Sequence, residues 1–208
     1  TSAKGFVNAV LRRATREPIC FEYADETDRI ATETSHPRWL IEKWAAAIGL
    51  VEAESLAAAN NEIPRTAFRA TGRLDEEHAS RLDGFERSQF VKGCYFADRR
   101  GDELAELADA GEIYFQDEAS QMVGAAVEVG ENQRILDVCA APGSKTTQIA
   151  LAASGRPSLF AAGDLRNERV AFLRANTTAQ SVGHVNVLQY DAEAALPFAD
   201  ESFDVVLI

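Results

Sequence analysis

Along the first half of the chain the apolar positions recur at helical spacing in short runs, broken by mixed charged stretches. Phe6, Val7, Val10 and Leu11 fall at i, i+1, i+4 and i+5, which predicts a basic amphipathic helix over residues 1–13. A helix that short does not hold together alone in water, so it reads as the tail of another element or as a docked arm. Residues 14–34 are charged and aperiodic and read as a linker. Pro37 opens a helix to about Ile48, with Ser35 or His36 as its cap, Trp39, Leu40, Lys43, Trp44 and Ala47 on one face, and Gly49 at its end. A second helix follows over Val51–Asn60. Strands are expected at Arg65–Ala70, Phe90–Phe96 and Glu112–Phe115, with helical segments at Asp75–Gly84 and Glu103–Ala108. That alternation suggests a small α+β or α/β subdomain.

The later pattern is more regular. A helix over Glu118–Val129, with Asp117 as its cap, precedes apolar strands at Arg134–Val138, Ser158–Asp164, Val185–Tyr190 and Phe203–Ile208. Helices at Lys145–Ser154 and Glu168–Ser181 separate the first three. Continuous apolar strands alternating with helices predict an α/β architecture: a doubly wound, Rossmann-like parallel sheet covered on both faces. The fourth strand should be central, so the chain is expected to continue beyond Ile208, and its bare start at Thr1 suggests residues before it.

Composition narrows the class. The 208 residues are 46% hydrophobic and 26% charged, which is globular. No apolar run approaches the roughly 20 residues of a membrane span. Cys20, Cys94 and Cys139, like His36, His78 and His184, show neither disulfide nor metal-ligand spacing, so no metal is expected and a reducing cytoplasm fits. The net charge of −12 argues against a nucleic-acid partner. It is unevenly spread: residues 1–13 carry three basic groups and no acid, and most of the deficit lies between 14 and 130.

In an open parallel sheet, ligands bind beyond the carboxyl ends of the strands. After the first strand comes Cys139-Ala140-Ala141-Pro142-Gly143-Ser144-Lys145, whose small residues admit a ligand close to backbone at a helix start. An ordinary strand–helix turn is the plainer alternative. Asp164 after the second strand stands where a ribose diol would be gripped, or caps the next helix. Asp191 after the third could accept from an adenine amino group, or serve a turn. The absence of a Gly-Lys-Ser/Thr string argues against a P-loop. Gln116-Asp117-Glu118-Ala119-Ser120-Gln121 reads by pattern as a capped helix start.

These strings carry a resemblance. CAAPGSKT at 139–146 resembles the CAAPGGKT signature of the Sun/Fmu (RsmB-like) family of S-adenosylmethionine-dependent RNA cytosine-C5 methyltransferases. QDEASQ at 116–121 is similar to the family's QDxASQ, and SHPRWLIEKWAAAIG at 35–49 to its SHPxWL linker helix. GFVNAVLRR at 5–13 looks like the last helix of a NusB-like domain. The four matches run in order along nearly the whole chain. Two departures stand out: Ser144 replaces the second Gly of the signature, and the family's RxN reads Arg69-Ala70-Thr71.

The resemblance implies a NusB-like remnant and linker at 1–34, an RRM-like subdomain at 35–115, and the first half of a class I methyltransferase domain at 116–208. Cys139 to Lys145 would line the methionine end of S-adenosylmethionine, with Asp164 at the ribose and Asp191 beside the adenine. It implies an RNA substrate, ribosomal rather than transfer RNA. Cytosine C5 is a poor nucleophile, so a thiolate must first add to C6, and the base must leave its stack. The family's catalytic cysteines fall beyond residue 208, Cys139 being a small buried residue of the cofactor loop; residues 1–208 are not expected to complete catalysis. A small-molecule or protein methyltransferase, or a catalytically dead adaptor, are the alternatives.

Overall fold

A computed structural model describes residues 2–16, 21–153 and 157–208. The chain divides into two compact units, Thr1–Pro64 and Arg65–Ile208. The division falls inside the subdomain expected at 35–115: the helices expected over 37–60 lie in the first unit, and the expected strands, with the helical segments between them, lie in the second.

The first unit is helical. Helix α1 spans Ser2–Ala14, with Phe6, Val7, Val10 and Leu11 all exposed. Helix α2 covers Glu26–Glu33, where the sequence reads as linker. It has only two buried positions, Ile30 and Ala31, too few to give a visible period. Polar contacts define it instead. Asp25 caps it by accepting from the Asp28 N–H at 2.9 Å, and Arg29 pairs with Glu26, Glu33 and Glu54. Helices α3 (Arg38–Ile48) and α4 (Leu50–Asn60) pack with it around Ile30, Ala31, Ile41 and Ala57. Two expectations for α3 are corrected. Neither Ser35 nor His36 caps it; Pro37 holds the cap position without a side-chain hydrogen bond. Of the expected face, Trp44 packs on this core beside Ile41, the one fully buried residue of the helix, while Trp39, Lys43 and Ala47 are exposed.

The second unit opens with a β-α-β-β-α-β segment, the split β-α-β connectivity. Its elements are β1 (Thr66–Ala70), α5 (Glu76–Ala79) running into a 3₁₀ turn, β2 (Glu86–Arg87), β3 (Cys94–Ala97), α6 (Asp102–Asp109) and β4 (Ile113–Phe115). The strands form an antiparallel sheet in the order β2-β3-β1-β4. Phe68, Leu82, Leu104, Leu107 and Ile113 fill the core on one face. Strand β3 starts four residues later than expected because Ser88 turns the chain: its Oγ accepts from the N–H groups of Phe90 and Val91.

Helix α7 (Glu118–Ala125) follows, capped as expected by Asp117. It stops four residues early, and Val127 and Val129 turn onto the next core. Strands β5 (Arg134–Asp137), β6 (Leu159–Asp164), β7 (Asn186–Gln189) and β8 (Val205–Leu207), with helices α8 (Ser144–Ala153) and α9 (Asn167–Ala179), complete the unit. The sheet is parallel in the order β7-β6-β5-β8. Ile135, Phe160 and Ala162 meet residues of α8 and α9 on one face. Leu136, Val138 and Ala161 meet Tyr190, Leu196, Phe198 and Phe203 on the other, so irregular chain covers that face. The winding reverses at β5, which pairs with β6 on one side and β8 on the other. That is the position of a ligand crevice.

Helices α7 and α8 approach closely at Gly124. A β-carbon there would lie 2.4 Å from Gln148 Oε1, the group that accepts from Gln116 Nε2 at 2.8 Å. Gly124→Ala must displace Gln148 and strand its partners, so it should lower the unfolding free energy by about 1–3 kcal/mol, read as a reduced urea midpoint.

Candidate cofactor site

The site is built from the ends of β5, β6 and β7. Beyond β5 the chain stays wedged between its neighbours: Val138 N–H donates to Leu207 O at 2.9 Å and Ala140 N–H to Gly163 O at 2.8 Å. Cys139, between them, is exposed and lines two clefts. The expectation of a buried Cys139 is thereby corrected, since a residue bonded through both sequence neighbours is held at the sheet's rim.

The next four carbonyls are all taken by side chains. Ala141 O accepts from Arg169 Nη2 at 2.6 Å, and Pro142 O from Asn176 Nδ2 at 2.7 Å. Gly143 O accepts from Thr147 Oγ1 at 2.7 Å, and Ser144 O from Arg69 Nη2 at 3.1 Å. The Ala141–Pro142 peptide is cis, and Gly143 has φ of 105°, a left-handed value that a side chain resists. A β-carbon at Gly143 would also lie 2.8 Å from Leu173 Cδ1. The small residues of the string thus serve a tight turn as well as ligand access.

Asp164, 7% exposed, ends β6. Its Oδ2 accepts from Ala141 N–H at 3.3 Å and faces Arg169 Nε at 3.4 Å. It is not the cap of α9, a position held by Arg166. Asp191 follows β7 and accepts from Glu193 N–H at 2.9 Å, so the turn role is present too. Asp164, Asp191, Cys139, Leu165 and Tyr190 line one cleft of about 330 Å3. Cys139 to Pro142, Ser144 and Lys145 line a second of about 150 Å3, with Asp137 and Val123. The structure thus gathers Cys139, Ala140, Ala141, Pro142, Ser144, Lys145, Asp164 and Asp191 around one rim, with Gly143 buried in the turn.

Several supporting residues were not anticipated. Tyr190 lies where a side chain at residue 163 would project, and its hydroxyl donates toward Asp137 O and Val138 O. Burial pushes its phenol up to about 12. Gln116 and Gln121 of the QDEASQ string are buried connectors: Gln121 Nε2 donates to Gln116 O, and Gln148 Nε2 to Gln121 O. Asp137 is buried and accepts from Thr146 Oγ1 at 2.6 Å. Burial raises its pKa, and the Thr146 bond opposes this. Among the described residues no His, Cys, Asp and Glu cluster could hold a metal ion. Cys20 lies outside the described residues, and Cys94 is buried, its thiol pushed up to about 11 by desolvation.

Comparison with known proteins places this geometry. The profile of the family described as 16S rRNA methyltransferase RsmB/F matches residues 125–208. The chain is 31% identical to the probable ribosomal RNA small subunit methyltransferase B of Bacillus subtilis (strain 168), over 98% of its own length and 47% of that protein's. It is 35% identical to the ribosomal RNA small subunit methyltransferase B of Pseudomonas putida, over 92% of its length and 43% of that protein's. The chain belongs to the Sun/Fmu (RsmB/F) family. It spans less than half the length of these two relatives. The fold is that of class I methyltransferases. A methyltransferase homolog from Pyrococcus horikoshii superimposes with a TM-score of 0.67 at 18% identity, covering 81% of this chain and 57% of that one. NSun6 from the same organism, with SFG, gives 0.62 at 18%, covering 75% and 66%.

Asp137 offers a test of the site's electrostatics. Its folded pKa is raised above the ordinary value of 3.8, so the folded state holds the proton more tightly than the unfolded state. Native stability therefore falls as pH rises through the unfolded value toward the folded one. Asp137→Asn removes that titration. Its stability relative to the parent should improve from pH 4 to pH 7, measured as the difference in urea midpoint; a difference independent of pH would refute the assignment.

Proposed function

We propose that this RsmB/F-family protein binds S-adenosylmethionine in the paired clefts and serves methyl transfer to C5 of cytosine in RNA, with small-subunit ribosomal RNA as the substrate. The observation that carries the reading is the convergence of the 139–145 loop, Asp164 and Asp191 on one rim at the winding reversal. The cofactor fits the chemistry of this rim. Asp164 keeps acceptor capacity on Oδ1, whose one contact is the Arg166 N–H at 3.5 Å, and so can take a ribose hydroxyl. Asp191 is exposed beside it, where an adenine amino group would donate, with Leu165 and Tyr190 as the flanking apolar wall. The smaller cleft, over Cys139–Pro142, Ser144 and Lys145, suits the methionine end. Once bound, the cofactor supplies an electrophilic methyl group.

The chain's own part is binding and orientation. The 141–144 carbonyls are engaged by side chains, Asp164 orients the loop through Ala141 N–H, and Arg169, at the cleft itself, offsets its charge. Neither Cys94, which is buried, nor Cys139, which belongs to the loop, is assigned as the thiol that adds to C6. The RNA reading draws on the relatives' names and on the family resemblance. It runs against bulk charge, but the excess of acid is not uniform: α1 carries Lys4, Arg12 and Arg13 with no acidic residue. We read α1 as a NusB-like remnant, the four-stranded sheet as the RRM-like part, and the cytoplasm as the site of action. Among the described residues no helix is long and apolar enough to cross a membrane. The small-molecule, protein-substrate and adaptor alternatives are not favoured.

Calorimetric titration with S-adenosylmethionine tests the site. Asp164→Ala should weaken binding about tenfold or more, since hydrogen bonds to a charged group are worth about 1.5–3 kcal/mol. Tritium transfer from methyl-labelled cofactor to small-subunit ribosomal RNA, using the full-length protein, tests the substrate. An absence of cofactor binding by the parent protein defeats the reading.

A further inference from the structure

One charged side chain is carried from the antiparallel sheet into the interior. Arg69, on β1, is 4% exposed, and its hydrogen-bond acceptors are all neutral. Its Nε donates to Gln116 Oε1 at 2.8 Å. Its Nη2 is shared among Gln180 Oε1 at 2.8 Å, Thr147 Oγ1 at 2.8 Å and Ser144 O at 3.1 Å. The Tyr114 ring on β4 lies 5.3 Å from the guanidinium carbon. Burial draws the Arg69 pKa down to about 10.

A buried cation without a counter-charge costs more than an apolar residue of similar size, so packing alone does not account for it. The acceptors identify what it does. Apart from the neighbouring Ala70 O, which accepts from Nη1 at 3.3 Å, they come from three places: Gln116 before α7, Ser144 and Thr147 in the first turn of α8, and Gln180 after α9. Thr147 carries one hydroxyl proton. With Arg69 donating to its oxygen, that proton is directed to Gly143 O at 2.7 Å. Arg69 therefore bears on two of the four loop carbonyls: Ser144 O directly, and Gly143 O through the Thr147 hydroxyl, beside the bond that this carbonyl takes from the Thr147 N–H at 2.9 Å.

We infer that Arg69 is a positioning residue that locks the 141–144 loop in its ligand-receiving conformation, making the antiparallel sheet part of the cofactor site. The functional half of this inference rests on the cofactor reading above; the structural half does not. A lysine cannot substitute. It keeps the charge but offers one nitrogen on a flexible stem, which cannot serve Gln116, Gln180 and the loop together.

Amide hydrogen exchange of the ligand-free protein, followed by calorimetry with S-adenosylmethionine, tests both halves. In Arg69→Met and Arg69→Lys, amides of 143–148 should exchange about tenfold faster, with those of Phe68 and Leu107 in the antiparallel core unchanged, and the dissociation constant should rise about tenfold. Equal acceleration in the core and the loop marks a general structural role and overturns the inference. So does exchange and affinity in Arg69→Lys equal to the parent's, which decides the matter if Arg69→Met fails to fold. If loop protection depends on Arg69 but the parent binds no S-adenosylmethionine, the positioning role stands and the cofactor reading falls.

Discussion

Four consecutive carbonyls, from Ala141 to Ser144, are each claimed by a side chain, and elements from across the second unit supply those claims. Arg169 and Asn176 come from α9, Thr147 from α8, and Arg69 from a different sheet. The turn contains a cis peptide and a left-handed residue, and Gly143 O also takes a regular helical bond, from the Thr147 N–H at 2.9 Å. Left unpaired, its carbonyls would each forfeit about 1–3 kcal/mol if buried. The surrounding elements remove that penalty and fix which way the peptide planes face.

The glutamines extend the same logic. Gln116, Gln121 and Gln148 form a chain of amide contacts between the antiparallel sheet, α7 and α8. An amide both donates and accepts, so one residue type can continue such a chain without introducing charge. Gly124 lets the two helices come near enough for it. Gln180 is less fully served: its oxygen takes Arg69, while its Nε2 is buried without a partner.

How much of this was legible follows from whether a signal is local. Strands β5 and β6 announce themselves because burial forces nearly continuous apolar runs, and the 139–145 string because a tight turn admits few residue types. Helix α2 was hidden, since Asp25 and the Arg29 ion pairs define it rather than an apolar stripe. Strand β3 was placed early because Phe90 and Val91 look like strand residues, yet Ser88 bends them into a turn. QDEASQ was readable as a cap through Asp117, but the burial of its two glutamines depends on Arg69 and Gln148, distant in sequence. Arg69 stood out only as the first residue of an RxN-like string. Only tertiary structure shows that its side-chain partners lie 47 to 111 residues away.

The charge of the chain can be read differently once the rim is known. A net −12 argues against a polyanion as partner when it is averaged over the surface. At the clefts the acids have another use. Asp137, Asp164, Asp191 and Glu193 all border them, against Lys145 and Arg169. Arg169 is spent on Asp164 and Ala141 O, which leaves the rim negative on balance. A ligand bearing a sulfonium is a cation, and its capture from water is favoured by that sign, within a Debye length of about 8 Å at physiological ionic strength. Acidity at the rim and basicity on a separate element such as α1 are distinct local fields. A single averaged charge hides both.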